Sequence, residues 1–225
     1  MKITAIETQA RRKDRRSISL DGAFAVALHE EQVLEFGLFV GREVSQEELE
    51  QWRAADLFRQ TLDHALNFLT FRPRSREEVR RNLYGRRVSP ALIEQVLAKL
   101  EEMRVLSDQQ FAEFWVENRE QFNPRGARAL SAELRQRGVD RETIEATVAP
   151  ERDEERALAA AQKKLRGLTN ADYQTFRKQL GGFLLRRGFS YGVSAGVVRQ
   201  LWERLHQEGS AEEDEGLFDD DTPLD

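Results

Sequence analysis

Arginine is the residue whose type and spacing could do chemistry in this chain. Leu83–Val88 reads Leu-Tyr-Gly-Arg-Arg-Val, Leu134–Val139 reads Leu-Arg-Gln-Arg-Gly-Val, and Leu184–Phe189 reads Leu-Leu-Arg-Arg-Gly-Phe. Each stretch opens and closes on an apolar residue and has Arg in fourth place. Arg86/Arg87, Arg135/Arg137 and Arg186/Arg187 thus recur at one position of an internal repeat of about fifty residues. Arg72, Arg74 and Arg76 precede the first echo, with Arg80 and Arg81 close behind, and Arg125 and Arg128 precede the second. The planar guanidinium fork binds phosphate or carboxylate through two parallel hydrogen bonds. Units stacked in register would line these thirteen side chains up as a basic edge for an extended anionic partner. A plainer reading is also open, in which they are solvated helix ends interacting with the C-terminal dipole and with local Glu.

Other chemistry is missing. There is no cysteine, which excludes disulfides, thiolate metal sites and a thiol nucleophile. His29, His64 and His206 are far apart, and none has a partner at metal-ligand spacing. No Gly-rich phosphate loop is present, and no carboxylate pair stands out as an acid and a base. No enzyme, cofactor or metal is expected. Gly192 and Gly196 form a Gly-x-x-x-Gly pattern, expected to allow close helix packing.

The elements that must position the arginines are mostly helices. Residues 2 to about 40 read as strand, with Asp21-Gly22 turning a hairpin between Ile18–Leu20 and Phe24–Leu28. Ser45-Gln-Glu-Glu48, Ser75-Arg-Glu-Glu78 and Ser107-Asp-Gln-Gln110 are capping-box starts, and Ser89-Pro90 supplies an N-cap with Pro at N1. Pro73 and Pro124 end helices 51 residues apart, and Leu130 to Leu180 adds a spacing of 50. The expected architecture is mainly α: an elongated array of three tandem three-helix repeats behind a small β-hairpin-containing N-terminal region. Its parts are a β-rich region 1–44, repeat one with a leading helix 45–106, repeat two 107–150, repeat three 151–207 and an acidic disordered tail 208–225. One fifty-residue unit buries its apolar faces poorly, whereas stacked units share a core.

Ala65–Thr70 is followed by Arg72–Val79, Leu100–Asp108 by Phe111–Trp115, and Pro124–Gly126 by Leu130–Val139, with Phe183–Tyr191 last. In this order these signatures resemble the RecX family, regulators of the RecA recombinase. The similarity covers about residues 57 to 205. The resemblance implies tandem three-helix repeats that bind the RecA–DNA filament within its groove, across neighbouring subunits. It further implies inhibition of filament extension, ATP hydrolysis and strand exchange, hence a role in DNA repair, recombination and the SOS response, with no catalysis. The front, residues 1–44, and the tail after Gln207 depart from the pattern.

Charge and hydropathy bound the rest. The net charge is −5, but Ser210–Asp225 holds eight acids and no base. Without them 35 basic residues face 32 acids, a balance of +3. Leu217-Phe218 in this tail is a possible docking point. No apolar run approaches the roughly 20 residues of a membrane helix, and no signal peptide opens the chain, so a soluble cytoplasmic monomer is expected. The alternative function is direct single- or double-stranded DNA binding by helix-turn-helix-like units, Ser75 to Leu100 and Arg128 to Val148. The modest charge balance argues against tight autonomous binding.

Overall fold

The computed structural model describes the backbone of residues 1–215 and the side chains of residues 1–206 other than Lys163. The expected acidic tail and its Leu217-Phe218 pair fall largely outside the described residues. The chain is mainly helical, with a three-stranded antiparallel sheet at its start. It divides into two compact units, Met1–Arg72 with Val79–Leu106, and Pro73–Glu78 with Ser107–Asp225.

In the first unit, β1 (Ile3–Thr8), β2 (Arg15–Leu20) and β3 (Ala23–His29) pair in sequence order. Asp21 and Gly22 take φ angles of 49° and 87° at the β2–β3 turn, the backbone an Asp-Gly hairpin requires. Ile3, Ile18, Leu20, Val26 and Leu28 share a core with Leu49 and Trp52 of the long helix over residues 46–69. Residues 30–35, expected as strand, are helix α1 (Glu30–Glu35). His29 acts as its cap: its backbone N–H donates to Gln32 Oε1 at 3.1 Å, and its ring Nδ1 accepts from Glu31 N. A histidine cap lacks the Ser/Thr/Asp signature by which a helix start is read.

Helix α2 (Gln46–Leu69) starts at the expected capping box, where Ser45 Oγ accepts from Glu48 N and Glu48 Oε2 accepts from Ser45 N. Arg15 lies against it, paired with Asp56 at 2.8 Å and almost fully buried. Helices α3 (Arg76–Gly85) and α4 (Pro90–Glu102) complete repeat one, with Leu62, Val79, Leu83, Ile93, Val96 and Leu100 as its core. Ser89 caps α4, and Pro90 stands at its first turn.

In the second unit, repeat two consists of α5 (Asp108–Phe122), α6 (Ala127–Gln136) and α7 (Arg141–Thr147) around Phe111, Leu130, Leu134 and Ile144. A single 3-10 turn, Pro150–Arg152, leads into repeat three: α8 (Asp153–Leu165), α9 (Tyr173–Arg186) and α10 (Tyr191–Glu215). Its core is built on Ala157, Ala161, Phe176, Leu180, Leu184 and Phe189. The helical backbone of α10 continues into the stretch assigned to the tail. In all three repeats the apolar ends of the echo, Leu83/Val88, Leu134/Val139 and Leu184/Phe189, belong to their repeat's core.

Candidate partner-binding site

The arginines of the echo do two different jobs, and the local backbone separates them. The second unit contains the same junction twice. In one copy Ser75 Oγ donates to the carbonyl of Arg137 at 2.7 Å, and the N–H of Arg76 donates to Asp108 at 2.7 Å. In the other, the N–H of Gly126 donates to the carbonyl of Arg187 at 3.1 Å, and the N–H of Ala127 donates to Asp153 at 2.8 Å. Ser75 and Gly126 are 51 residues apart, Arg137 and Arg187 are 50 apart. Each junction therefore sets the first turn of one repeat's second helix against the turn after the next repeat's second helix. A carboxylate from the following repeat caps that first turn, satisfying an N–H that its own helix leaves open.

The close approach explains the glycines. A Cβ on Gly138 would fall on the side chain of Glu77, and one on Gly188 would fall on Ala129; both glycines have positive φ. Gly126 passes so near the backbone of Gly188 that it has no room for a side chain either. The equivalent residue of repeat one is Arg87. It is exposed and takes φ +63° without the benefit of glycine.

The fourth-place arginines serve these junctions in repeats two and three. The guanidinium of Arg137 lies 3.7 Å from the Trp115 ring centroid, donates to the Glu133 carbonyl, and approaches Glu78 at 4.0 Å. Arg187 donates to the Asn123 side chain and to the Pro124 carbonyl, and stacks on Phe183. Burial, and then the charge of Arg125, lower the Arg187 pKa from its ordinary value. Arg125 pairs with Glu133 at 2.9 Å, and Glu133 also holds Arg119 at 2.8 Å and the Trp115 indole N–H at 2.7 Å. Burial pushes the Asp153 carboxyl up, against the pull of the Ala127 N–H and of Arg156. Arg156 is itself buried and pairs with Glu120 at 2.8 Å.

The remaining expected site residues are more accessible. Arg80 pairs with Glu94 at 3.0 Å. Arg72, Arg74 and Arg76 are half-buried, and Arg81 is exposed; all four have intramolecular interactions. Arg86, Arg87, Arg128, Arg135 and Arg186 are exposed, and among the described residues none of their side chains makes a hydrogen bond or ion pair. Arg128 and Arg135 border the same hollow of the second unit, together with Ser131, Asp153 and Ser190.

In a helix-turn-helix the third helix would enter a DNA groove. The exposed residues of α4 are Pro90, Ala91, Glu94, Gln95, Ala98, Glu101 and Glu102, and those of α7 are Arg141, Glu142, Glu145 and Ala146. Both faces are acidic on balance and repel phosphate. Repeat three differs, and its signal is an absence rather than a motif. From Arg156 to Trp202 there are nine basic residues and one acid, Asp172, which caps α9. Apart from Arg186 and Arg187, the cations of this run lie outside the threefold echo, so the repeat pattern does not mark them.

The comparisons agree with the repeat structure. Family models match four segments: the regulatory protein RecX N-terminal domain over residues 1–45, and the RecX first, second and third three-helix domains over residues 62–100, 107–148 and 151–198. The N-terminal region, which stood outside the resemblance in the sequence, is thus part of the family pattern. The regulatory protein RecX of Bacillus subtilis is 30% identical over 203 residues, 88% of this chain and 76% of that one. That of Listeria welshimeri is 28% identical over 215 residues, 94% of this chain and 80% of that one. A crystal structure of regulatory protein RecX superposes with a TM-score of 0.71 at 25% identity, covering 87% of this chain and 98% of that one. The structure of RecX from Lactobacillus salivarius, at 23% identity and a TM-score of 0.59, covers 65% and 97% and shares the fold. With a sheet-bearing front, three three-helix repeats in register and a family match to each of these parts, the chain belongs to the RecX family of regulatory proteins.

Proposed function

We propose that this chain is a non-enzymatic regulator that binds RecA or the RecA–DNA filament and inhibits its extension, ATPase and strand exchange. The observation that carries the reading is the division among the arginines. Arg137 and Arg187 are held inside the protein by the junctions, whereas Arg86, Arg87, Arg128, Arg135 and Arg186 are exposed and unpaired among the described residues. Exposed guanidinium groups on each of the three repeats suit an extended anionic surface, such as acidic protein or phosphate. They steer the encounter, while apolar contacts at the interface set its lifetime. A chain of repeats bound along a filament blocks addition of protomers or opposes rotation between filament states. A monomer acting in the cytoplasm, where the recombinase works, fits this reading. Among the described residues no helix is long and apolar enough to cross a membrane.

The test is the ATPase rate of the recombinase on single-stranded DNA, titrated with the full chain. Inhibition at or below equimolar protein is expected; an unchanged rate overturns the reading. Direct duplex binding through α4 and α7 is disfavoured by the acidic faces of those helices.

A further inference from the structure

Repeat three departs from the other two in one place. Ile93 and Ile144 are core residues at equivalent positions, and repeat three has Ser194 there. Ser194 is 3% exposed, and its hydroxyl has no hydrogen-bond partner among the described residues. Four neighbouring positions also shrink. Gly181 and Gly182 stand where repeat one has Arg80 and Arg81 and repeat two has Ser131 and Ala132. Gly192 replaces Ala91 and Glu142, and Gly196 replaces Gln95 and Ala146. The five changes open a groove of about 610 Å³ lined by α9 and α10.

The fold does not need Gly181, Gly192 or Gly196, and a Cβ on Gly182 would meet only the end of the Arg186 side chain, at 3.3 Å. A Cβ on Gly192 or Gly196 would meet nothing within 4 Å, and one on Gly181 only Val198 at 3.9 Å. The Gly-x-x-x-Gly pattern therefore does not serve close helix packing, the role expected from the sequence. Glycine weakens a helix relative to alanine, so the groove is kept open at the expense of helix stability.

Around it stand Tyr173, Tyr191, Arg177, Lys178 and Arg199, and no acid lines it. Tyr191 is 76% exposed, and Tyr173 is braced edge-on by Trp202 with ring centroids 5.2 Å apart. The three cations are exposed and make no hydrogen bond or ion pair among the described residues. The thirty residues from Tyr173 to Trp202 contain five basic residues and no Asp or Glu.

We propose that this groove binds single-stranded nucleic acid, with bases stacked on Tyr173 and Tyr191 and phosphates held by Arg177, Lys178 and Arg199. Sequence-tolerant binding of a single strand needs a basic groove with aromatic platforms, and both are here. A duplex hides the base faces that the rings would meet. An acidic peptide would pair with the three cations, but it offers the two tyrosine rings no flat base to stack on. The negative balance of the whole chain does not oppose such binding, because residues 151–207 carry eleven basic and six acidic residues.

The inference is independent of recombinase regulation and is tested without the recombinase. Fluorescence anisotropy of a labelled twenty-nucleotide oligo(dT), titrated with the full chain, should show binding at low salt. The slope of log K against log salt should be about −2, since each neutralised phosphate of a single strand contributes about −0.7. Filling the groove with Gly196→Leu should weaken binding at least about tenfold, as should loss of stacking in Tyr191→Ala. Arg177→Gln with Arg199→Gln should do the same with an unchanged melting temperature, which covers the case in which the filled variant fails to fold. An abasic strand of equal length should bind about tenfold more weakly. No binding by the unmodified chain, or full affinity in the folded arginine variant, overturns the proposal. So does equal binding of oligo(dT), abasic strand and polyglutamate, which would mark a site for acidic polymers.

Discussion

Repeats two and three share a junction and differ in what they do with charge. Residues 107–150 carry six basic and eight acidic residues, residues 151–207 eleven and six. In repeat two Glu133 gathers Arg119, Arg125 and the Trp115 indole, and Arg137 covers the same ring. In repeat three the side chains of Arg177, Lys178, Arg186 and Arg199 make no hydrogen bond or ion pair among the described residues. The comparison teaches that a recurrent arginine is not by itself a binding residue. Where a carboxylate and an aromatic ring converge on it, it is part of the joint. Where no carboxylate engages it, its charge is available to a partner.

The glycines break or sharpen this comparison most strongly. Gly188→Ala places a Cβ against Ala129 at a left-handed backbone and is expected to cost about 3 kcal/mol, combining backbone strain with overpacking. Gly138→Ala meets only the Glu77 side chain and should cost about 2 kcal/mol. Urea denaturation of the two variants measures the difference. Equal and negligible effects would mean the junction is looser than its geometry.

The capping carboxylates come next. Asp153→Ala deprives the Ala127 N–H of its acceptor beside buried Arg156, and a loss of about 2–3 kcal/mol is expected. Asp108→Ala removes the equivalent cap at a half-buried site and should cost about 1 kcal/mol. Thermal melts of the pair test the order; a larger loss in Asp108→Ala would reverse the ranking of the two junctions.

The smallest effects separate neighbouring arginines of one echo. Arg137→Ala loses the Trp115 stack and its carbonyl bond, expected at about 1–2 kcal/mol. Arg135→Ala, two residues earlier and exposed, should change stability by less than about 0.5 kcal/mol. Chemical denaturation of both variants decides whether the joint and the surface are distinct.

Much of the frame was legible in the chain because its signals are local. Ser45, Ser89 and Ser107 cap the helices they precede, and Asp21-Gly22 turns the hairpin. The spacing of 50 and 51 residues located the equivalent leucines of three cores. The joints were not legible, since their partners are distant in sequence. Asp153 caps a helix 26 residues earlier, and Asn123 meets Arg187 across 64 residues. The register showed that Arg86, Arg137 and Arg187 recur, but not that two of them face a preceding repeat. Helix α1 was hidden by its histidine cap. The groove of repeat three was hidden because it consists of side chains that are missing: an Ile become Ser194, four positions become glycine, and no acid in its lining.

The central claim is that exposed arginines meet the partner while the fourth-place arginines of repeats two and three hold the protein together. The direct measurement is inhibition of the recombinase ATPase by the variant with Arg86, Arg87, Arg128, Arg135 and Arg186 all changed to Gln, alongside its melting temperature. The account predicts a melting temperature close to that of the unmodified chain and inhibition weakened by about tenfold or more. Full inhibition by the folded variant would contradict it.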